Sequence, residues 1–376
     1  MRQLVTVEAR QLEGVRRRLE SALRGGPALM VVGEGDLVRP GIDLAPAEVS
    51  DATALVVQTS GSTAAPKRVC LSADSLIASA RATHARLGGP GQWLLAVPAN
   101  YIAGVQVLVR SLETGIEPVV VSGAFSPESF VAGVRSMTGK RRYASVVPAQ
   151  LQRLVELASR DSDARRSLAT IDALLVGGQS TPSTLREAAG ELGMSIVRSY
   201  GSTETSGGCV YDGVPLEGVE LAIDASGELM IAGNILALEY TEQRLTDDRF
   251  VMRDGARWYL TGDEATLDGG SLRIVGRRNR MLISGGIKVS LDEVDAVASD
   301  VVSMRVASVA ASSDEWGERP VIVIEGERSQ ATEDLLRAAV LERLGRVAVP
   351  DRFVWVATMP TGATGKPDYA RIATLT

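Results

Sequence analysis

Short β-branched apolar runs recur through the first half of the chain. ALMVV (28–32), ALVVQ (54–58), WLLAV (93–97), PVVVS (118–122), ASVV (144–147), ALLV (173–176) and SIVRS (195–199) each read as strands, because Val, Ile and aromatic side chains suit a pleated, buried surface. Between several of them the apolar residues recur three and four apart, over 74–87, 127–137, 149–159 and 183–192. That spacing predicts amphipathic helices. Strand–helix alternation predicts α/β layering around a largely parallel sheet. From about residue 210 the texture changes to Gly, Asp and short apolar pieces (ELMIAG, RWYLTGD, SLRIVG), the pattern of hairpins or a small β-rich subdomain. After Gly276 it changes again: MRVASVAAS, PVIVIEGE and RFVWVA read as strands and TEDLLRAAVLERLG as a helix. This is the make-up of a separate α+β module of about 100 residues.

Composition narrows the picture. The chain has 376 residues, 45% hydrophobic and 23% charged, with a formal net charge of −6. A packed core is readily built from such a sequence, and the acidic balance argues against a nucleic-acid binder. Cys70 and Cys209 are far apart and without metal-like spacing, which suits buried reduced thiols better than a disulfide framework. The charged N-terminal stretch has no apolar signal core, and no run approaches the roughly 18 apolar residues of a spanning helix. The expectation is a cytoplasmic protein without a membrane span, its oligomeric state open. His84 is the single histidine, so a Ser–His triad or a His-rich metal site is not to be expected.

Five stretches carry candidate chemistry. QTSGSTAAPK (58–67) joins two strand-like runs and lacks the GxxxxGK[ST] pattern, so it predicts a strand–loop–strand connection. Thr59, Ser60, Ser62 and Thr63 offer hydroxyls, Gly61 allows close backbone approach, and Lys67 adds a charge; the ordinary alternative is a linking turn. SYGSTET (199–205) follows a strand, where open α/β sheets bind ligands. Its Glu204 has the chemistry to hold Mg²⁺ with phosphate oxygens, and Tyr200 offers a flat face to a base; a solvated turn is the alternative. In WYLTGD (258–263), Asp263 after a Gly turn can accept from two adjacent hydroxyls, or mark a plain hairpin. GRRNRMLISGGIKVSLDEVD (276–295) has a tight turn at Gly285 and Gly286 and also reads as an interdomain linker. PTGATGKPDYARI (360–372) places Lys366 in a Gly/Thr-rich segment, where a solvated lysine is the bland reading.

In this order and at these separations, the stretches resemble the motifs of the adenylate-forming superfamily: acyl-CoA synthetases, adenylation domains of peptide synthetases, and luciferases. The resemblance runs from Thr59 to Arg371. TSGSTAAPK resembles the phosphate loop TSG[ST]TGxPK, LLVGGQSTP (174–182) the adenine-side GGxxxP turn, YGSTE the pattern YGxTE, and YLTGD the pattern [YF]xTGD. GRRNRMLISGGIKV resembles GRxxDxIxxGGxxV, and PTGATGK resembles PxTxxGK. Ala64 departs from the usual loop glycine, and Asn279 and Arg280 from the usual acidic hinge.

The resemblance implies a two-step reaction: a carboxylate attacks the α-phosphate of ATP to give acyl-AMP and pyrophosphate, and the thiol of CoA then displaces AMP. It implies a large N-terminal α/β domain over 1–277, with layered sheets and a β-rich subdomain, and a small mobile C-terminal α+β domain over 278–376. By matched position, Ser60, Gly61, Ser62, Thr63 and Lys67 would hold phosphates, and Thr63 and Glu204 Mg²⁺. Gly178, Gln179, Ser199, Tyr200, Gly201, Ser202 and Thr203 would border the nucleotide, with Asp263 and Arg277 on the ribose. Lys366 would neutralise charge developing at the α-phosphate, with Lys67, Thr63 and Glu204 as further catalytic groups. Rotation near Arg278 and Asn279 would bring Gly285 and Gly286 to the thiol tunnel.

The short length and the stretch GGCVYDGVPLEGVEL (207–221) after YGSTETS most resemble the o-succinylbenzoate–CoA ligases of menaquinone synthesis. VPANYIAGVQVLVRS (97–111) is similar to the family's acid-pocket stretch, implying Asn100, Tyr101, Gly104, Ser202, Ser206 and Gly207 around the acid. An aromatic diacid needs donors for its second carboxylate, and Ser202, Thr205, Ser206 and Arg198 are the expected group. The rival readings are a ligase for another aromatic or short acid, a stand-alone adenylation enzyme, and a non-catalytic nucleotide-binding protein.

Overall fold

The computed structural model describes residues 1–33, 47–59, 67–121, 123–361 and 367–376. Four sheets organise the described residues. In space the first runs Glu239–Tyr240, Lys67–Ser72, Thr53–Thr59, Ala28–Val32, Arg2–Glu8 and Glu48–Val49. The second runs Val214–Pro215, Gly207–Tyr211, Ile196–Ser202, Ala173–Gly177, Arg142–Val146, Gln92–Leu95 and Val119–Val120, and its last five strands are parallel.

Alternation along these strands explains the layering. Trp93, Leu95, Tyr143, Ala173 and Leu175 enter one core; Leu94, Ala144, Val146, Leu174 and Val176 enter another. Successive strand residues face opposite sides, so the second sheet is buried on both faces and its strands read as continuous apolar runs. Helices Pro127–Ser136, Pro148–Arg160 and Ser183–Glu191 cover one side. Helices Ala73–Arg86 and Ile102–Thr114 fill the other and also meet Leu29, Val31, Leu55, Val57, Val69 and Leu71 of the first sheet. The result is a mixed α/β layering, as the alternation predicts.

A third, antiparallel sheet holds Val219–Ile223, Glu228–Gly233, Ala256–Asp268, Phe250–Arg253 and Ser271–Arg277. The small C-terminal unit has its own sheet, from Met281–Ser284, Ile287–Ser290, Gly317–Glu325, Val306–Ser313 and Arg352–Val356. Helices Leu291–Val301 and Gln330–Leu344 cover it, and Leu282, Val294, Ile322, Leu336 and Val340 form its separate core.

Two local expectations are corrected. Asp263 does not sit after a hairpin turn: it lies inside the 13-residue strand Ala256–Asp268, opposite Arg277, with Gly262 at φ 76° in the irregular stretch where the pairing with Glu228–Gly233 skips from Leu260 to Glu264. Tyr200, Gly201 and Ser202 belong to the strand rather than the loop beyond it, because the partner strand Gly207–Tyr211 carries the ladder on to Ser202.

Candidate active site

The parallel strands of the second sheet end together, and their carboxyl edge collects the stretches 97–111, 174–182 and 199–205. Gly178 and Gln179 follow the strand Ala173–Gly177 and are exposed, with Gly178 beside Val147 of the neighbouring strand end. Asn100 and Tyr101 are half-buried where the chain turns into helix Ile102–Thr114. Ser199 to Ser202 line the last parallel strand, and Thr203–Thr205 forms a single 3₁₀ turn. Gly201 is sterically required: a Cβ there would lie 2.1 Å from the carbonyl oxygen of Gly207 on the returning strand.

Two groups of side chains stand at this edge. In the first, Tyr200 Oη donates to Asp263 Oδ2 (2.6 Å) and Arg277 Nε pairs with Asp263 Oδ1 (2.8 Å). Burial drives the Asp263 carboxyl above its ordinary value, against Arg277 and the Tyr200 hydrogen bond, which favour the ionised form. Burial and Asp263 push the Tyr200 hydroxyl well up, so it remains a donor. A carboxylate has about four lone-pair sites, so Asp263 keeps accepting capacity beyond these two partners. In the second group, Glu204 is 8% exposed and accepts from Tyr240 Oη at 2.7 Å through Oε1. Its Oε2 has no hydrogen-bond or ion-pair partner among the described residues.

Lys67 is half-buried and opens the strand Lys67–Ser72, directly opposite Thr59. Residues 60–66 therefore connect two antiparallel strands, as the sequence predicts. Ser60, Gly61, Ser62, Thr63 and Lys366 lie outside the described residues. Gly285 and Gly286 form a two-residue hairpin with φ of 55° and 80°, the left-handed pair that such turns require. Both are exposed.

The acid-pocket expectations are partly corrected. Ser206 is fully buried and its only hydroxyl proton goes to the carbonyl of Ile235 (2.8 Å), so it has none to offer a ligand. Thr205 is likewise buried, donating to the Gly207 carbonyl (2.8 Å). Arg198 faces solvent and pairs with Asp212 (3.1 Å). Gly104 is a packing glycine: a Cβ there would meet the Pro98 carbonyl at 2.3 Å, so its Cβ side is filled by backbone. Gly207 is buried with its open side towards Gln106 and Ile102.

The polar side chains buried behind Gly207 come instead from helix Ile102–Thr114. Gln106, 1% exposed, donates to the Ser206 carbonyl (2.8 Å) and lies against Gly207. One helical turn further, Arg110 is 3% exposed. Its guanidinium lies 4.5 Å over the Trp93 ring and donates to Thr83 Oγ1 (3.2 Å), which in turn contacts Tyr211 Oη (3.0 Å). No carboxylate pairs with Arg110 among the described residues, and its Nε has no partner. Burial and Arg110 push His84 down to about 4; its Nε2 accepts from Trp93 Nε1 (3.1 Å), the tautomer of a neutral ring. The signal was legible: Gln106 and Arg110, four apart, interrupt an otherwise apolar helix face (IAGVQVLVRSLET).

Residues 14–241 match the model of the family described as AMP-binding enzyme. The chain belongs to the AMP-binding enzyme family. Among its relatives, a "Probable 2-succinylbenzoate--CoA ligase" of Mycobacterium tuberculosis is 40% identical over 333 residues, covering 86% of this chain and 85% of that one. A "2-succinylbenzoate--CoA ligase" of Geobacillus kaustophilus is 31% identical, covering 93% and 74%. Of solved structures, the o-succinylbenzoate CoA synthetase of Bacillus subtilis in complex with its acyl-adenylate intermediate OSB-AMP superposes with a TM-score of 0.75 at 24% identity. It covers 98% of this AMP-binding enzyme and 82% of that chain. That likeness establishes the shared fold, a large N-terminal and a small C-terminal domain. Among the described residues no helix is long and apolar enough to cross a membrane.

Proposed function

We propose that this chain is an AMP-forming acid–CoA ligase whose acid is 2-succinylbenzoate. The carrying observation is the convergence of Tyr200, Glu204, Asp263 and Arg277 on one sheet edge, in a chain so similar along its length to a probable 2-succinylbenzoate–CoA ligase. The acid's carboxylate attacks the α-phosphate of ATP, forming acyl-AMP as pyrophosphate departs. The thiol of CoA then attacks the acyl carbon, giving the thioester and AMP.

Tyr200 and the turn at Gly178 and Gln179 border adenine, while Asp263, fixed by Tyr200 and Arg277, accepts from the ribose hydroxyls. Lys67 and the loop hydroxyls of Ser60, Ser62 and Thr63 hold the departing phosphates. Among the described residues no cluster of three His, Cys, Asp or Glu side chains could hold a metal ion by itself. A single carboxylate with one free oxygen instead suits Mg²⁺, which is commonly bound by one or two carboxylates plus substrate phosphates; Glu204 and Thr63 would hold it. When bound, the cation screens phosphate charge. Lys366 offsets charge developing at the α-phosphate, a fixed-charge effect of several kcal/mol.

The second carboxylate of the diacid finds its cation in Arg110. Buried charges are ordinarily paired, and this guanidinium has no counter-charge among the described residues, only the Trp93 face and the Thr83 hydroxyl. It lies one turn behind Gln106, which touches Gly207 beside the nucleotide stretch. The division at 277/278, with the Gly285–Gly286 hairpin serving the thiol step after rotation, completes the reading.

The test is pyrophosphate release from ATP and Mg²⁺ with a panel of carboxylic acids, with and without CoA. Turnover that requires 2-succinylbenzoate and CoA is expected. Turnover with another acid would discard the substrate but keep the chemistry. Silence across the panel would leave a nucleotide-binding protein without ligase activity.

A further inference from the structure

Tyr240 lies far from every motif stretch in sequence, yet it joins two of them. It sits on the two-residue strand Glu239–Tyr240 at the edge of the first sheet, opposite Val69. Val69 is two residues along from Lys67 on the strand that leaves the phosphate loop. Leu238 N also donates to the Cys70 carbonyl (2.9 Å). On its other side the same segment grips Glu204 twice: Ala237 N donates to the Glu204 carbonyl (2.8 Å), and Tyr240 Oη donates to Glu204 Oε1 (2.7 Å). Tyr240 is 3% exposed. Phe250 packs against both Tyr240 and Tyr259, at centroid distances of 6.0 and 5.3 Å, and Arg257 covers Phe250 while donating to the carbonyls of Ala237 (2.6 Å) and Leu238.

We infer that Tyr240 is a positioning residue: its hydroxyl fixes the Glu204 carboxylate with Oε1 occupied and Oε2 presented to the divalent cation that accompanies ATP, in register with Lys67. The inference rests on the reading of Glu204 as a metal ligand. The physical reason is that a carboxylate held at one oxygen has one orientation to offer, whereas a free one rotates. Groups that orient a metal ligand are commonly worth about 10- to 100-fold in metal affinity.

The experiment is Mn²⁺ binding, followed by electron paramagnetic resonance, to the full-length protein with a non-hydrolysable ATP analogue. It compares the parent with Tyr240→Phe, Glu204→Gln and the double variant. Tyr240→Phe keeps the ring and its packing. It is expected to weaken Mn²⁺ about 10-fold and to raise the Mg²⁺ requirement of turnover in parallel. Its kcat at saturating Mg²⁺ should stay close to that of the parent. In the Glu204→Gln background it should cause no further loss. Urea unfolding of the same variants separates a loss of Mn²⁺ affinity from a loss of stability. If Glu204→Gln weakens Mn²⁺ while Tyr240→Phe leaves it unchanged, the positioning role is overturned. If Glu204→Gln itself has no effect on Mn²⁺, the metal-ligand reading beneath it fails instead.

Discussion

Arg110→Met separates stability from substrate selection. In the free protein the buried guanidinium has lost its water, at an effective cost of several kcal/mol per ion. Two contacts offset this. The Trp93 face at 4.5 Å contributes about 2 kcal/mol when desolvated. The hydrogen bond to Thr83 at 3.2 Å contributes about 1.5–3 kcal/mol because the donor is charged. These terms nearly cancel, so a methionine of similar length should change unfolding free energy by no more than about 2 kcal/mol, in either direction. With the diacid bound the balance differs, since the variant strands a buried carboxylate. Truncating one partner of such a pair costs about 2–5 kcal/mol, or roughly 30- to several-thousand-fold at 1.4 kcal/mol per decade. The assays are urea unfolding, and kcat/KM in pyrophosphate release for 2-succinylbenzoate beside an aromatic acid lacking the succinyl carboxylate. The diacid should lose its advantage while the monoacid changes little. Equal losses for both acids, or a diacid kcat/KM unchanged by the substitution, would refute the assignment of Arg110.

Three further outcomes are expected. His84, held down to about 4 by burial and Arg110, is below its unfolded value of about 6.5. The unfolded chain therefore binds more protons between these values, and stability falls as pH drops from about 6.5 to about 4, by at most about 3 kcal/mol from this group. Because His84 is the single histidine, its imidazole resonance in proton NMR reports the value directly, and titration near 6.5 would contradict the burial argument. Asp300 of the C-terminal unit accepts from Ser183 N (2.8 Å) and Ser183 Oγ (3.0 Å) at the start of the helix after the turn at Gly178 and Gln179. Asp300→Ala should therefore change the ratio of acyl-AMP formation to CoA transfer; an unchanged ratio would show that this contact does not bias the orientation of the small domain. Lys366→Ala should suppress acyl-AMP formation strongly and spare CoA transfer from preformed acyl-AMP, which single-turnover measurements of the two steps would show, and equal loss in both would remove Lys366 from its role.

Sequence by itself determined the layering of strands and helices. Apolar runs with β-branched residues become strands buried on both faces, and residues three and four apart become helix faces, because burial periodicity is a local property of the chain. The strand–loop–strand reading of 58–67 holds at both described ends for the same reason: Thr59 and Lys67 lie in adjacent runs and pair directly. What tertiary structure alone decided is which hydrogen bond each polar group makes. Ser206 looks like a donor in sequence, but the chain path places the Ile235 carbonyl against it and consumes its proton. Tyr200 and Asp263 are 63 residues apart, and Tyr240 and Glu204 36 apart. Their meeting depends on sheet order and on a two-residue edge strand too short to leave a periodic signal. Arg110 shows the boundary between the two. Its place as an interruption of an apolar helix face was legible in the sequence. That it is left without a carboxylate partner among the described residues, over a tryptophan and one turn from Gly207's neighbour, follows only from how two sheets close on that helix.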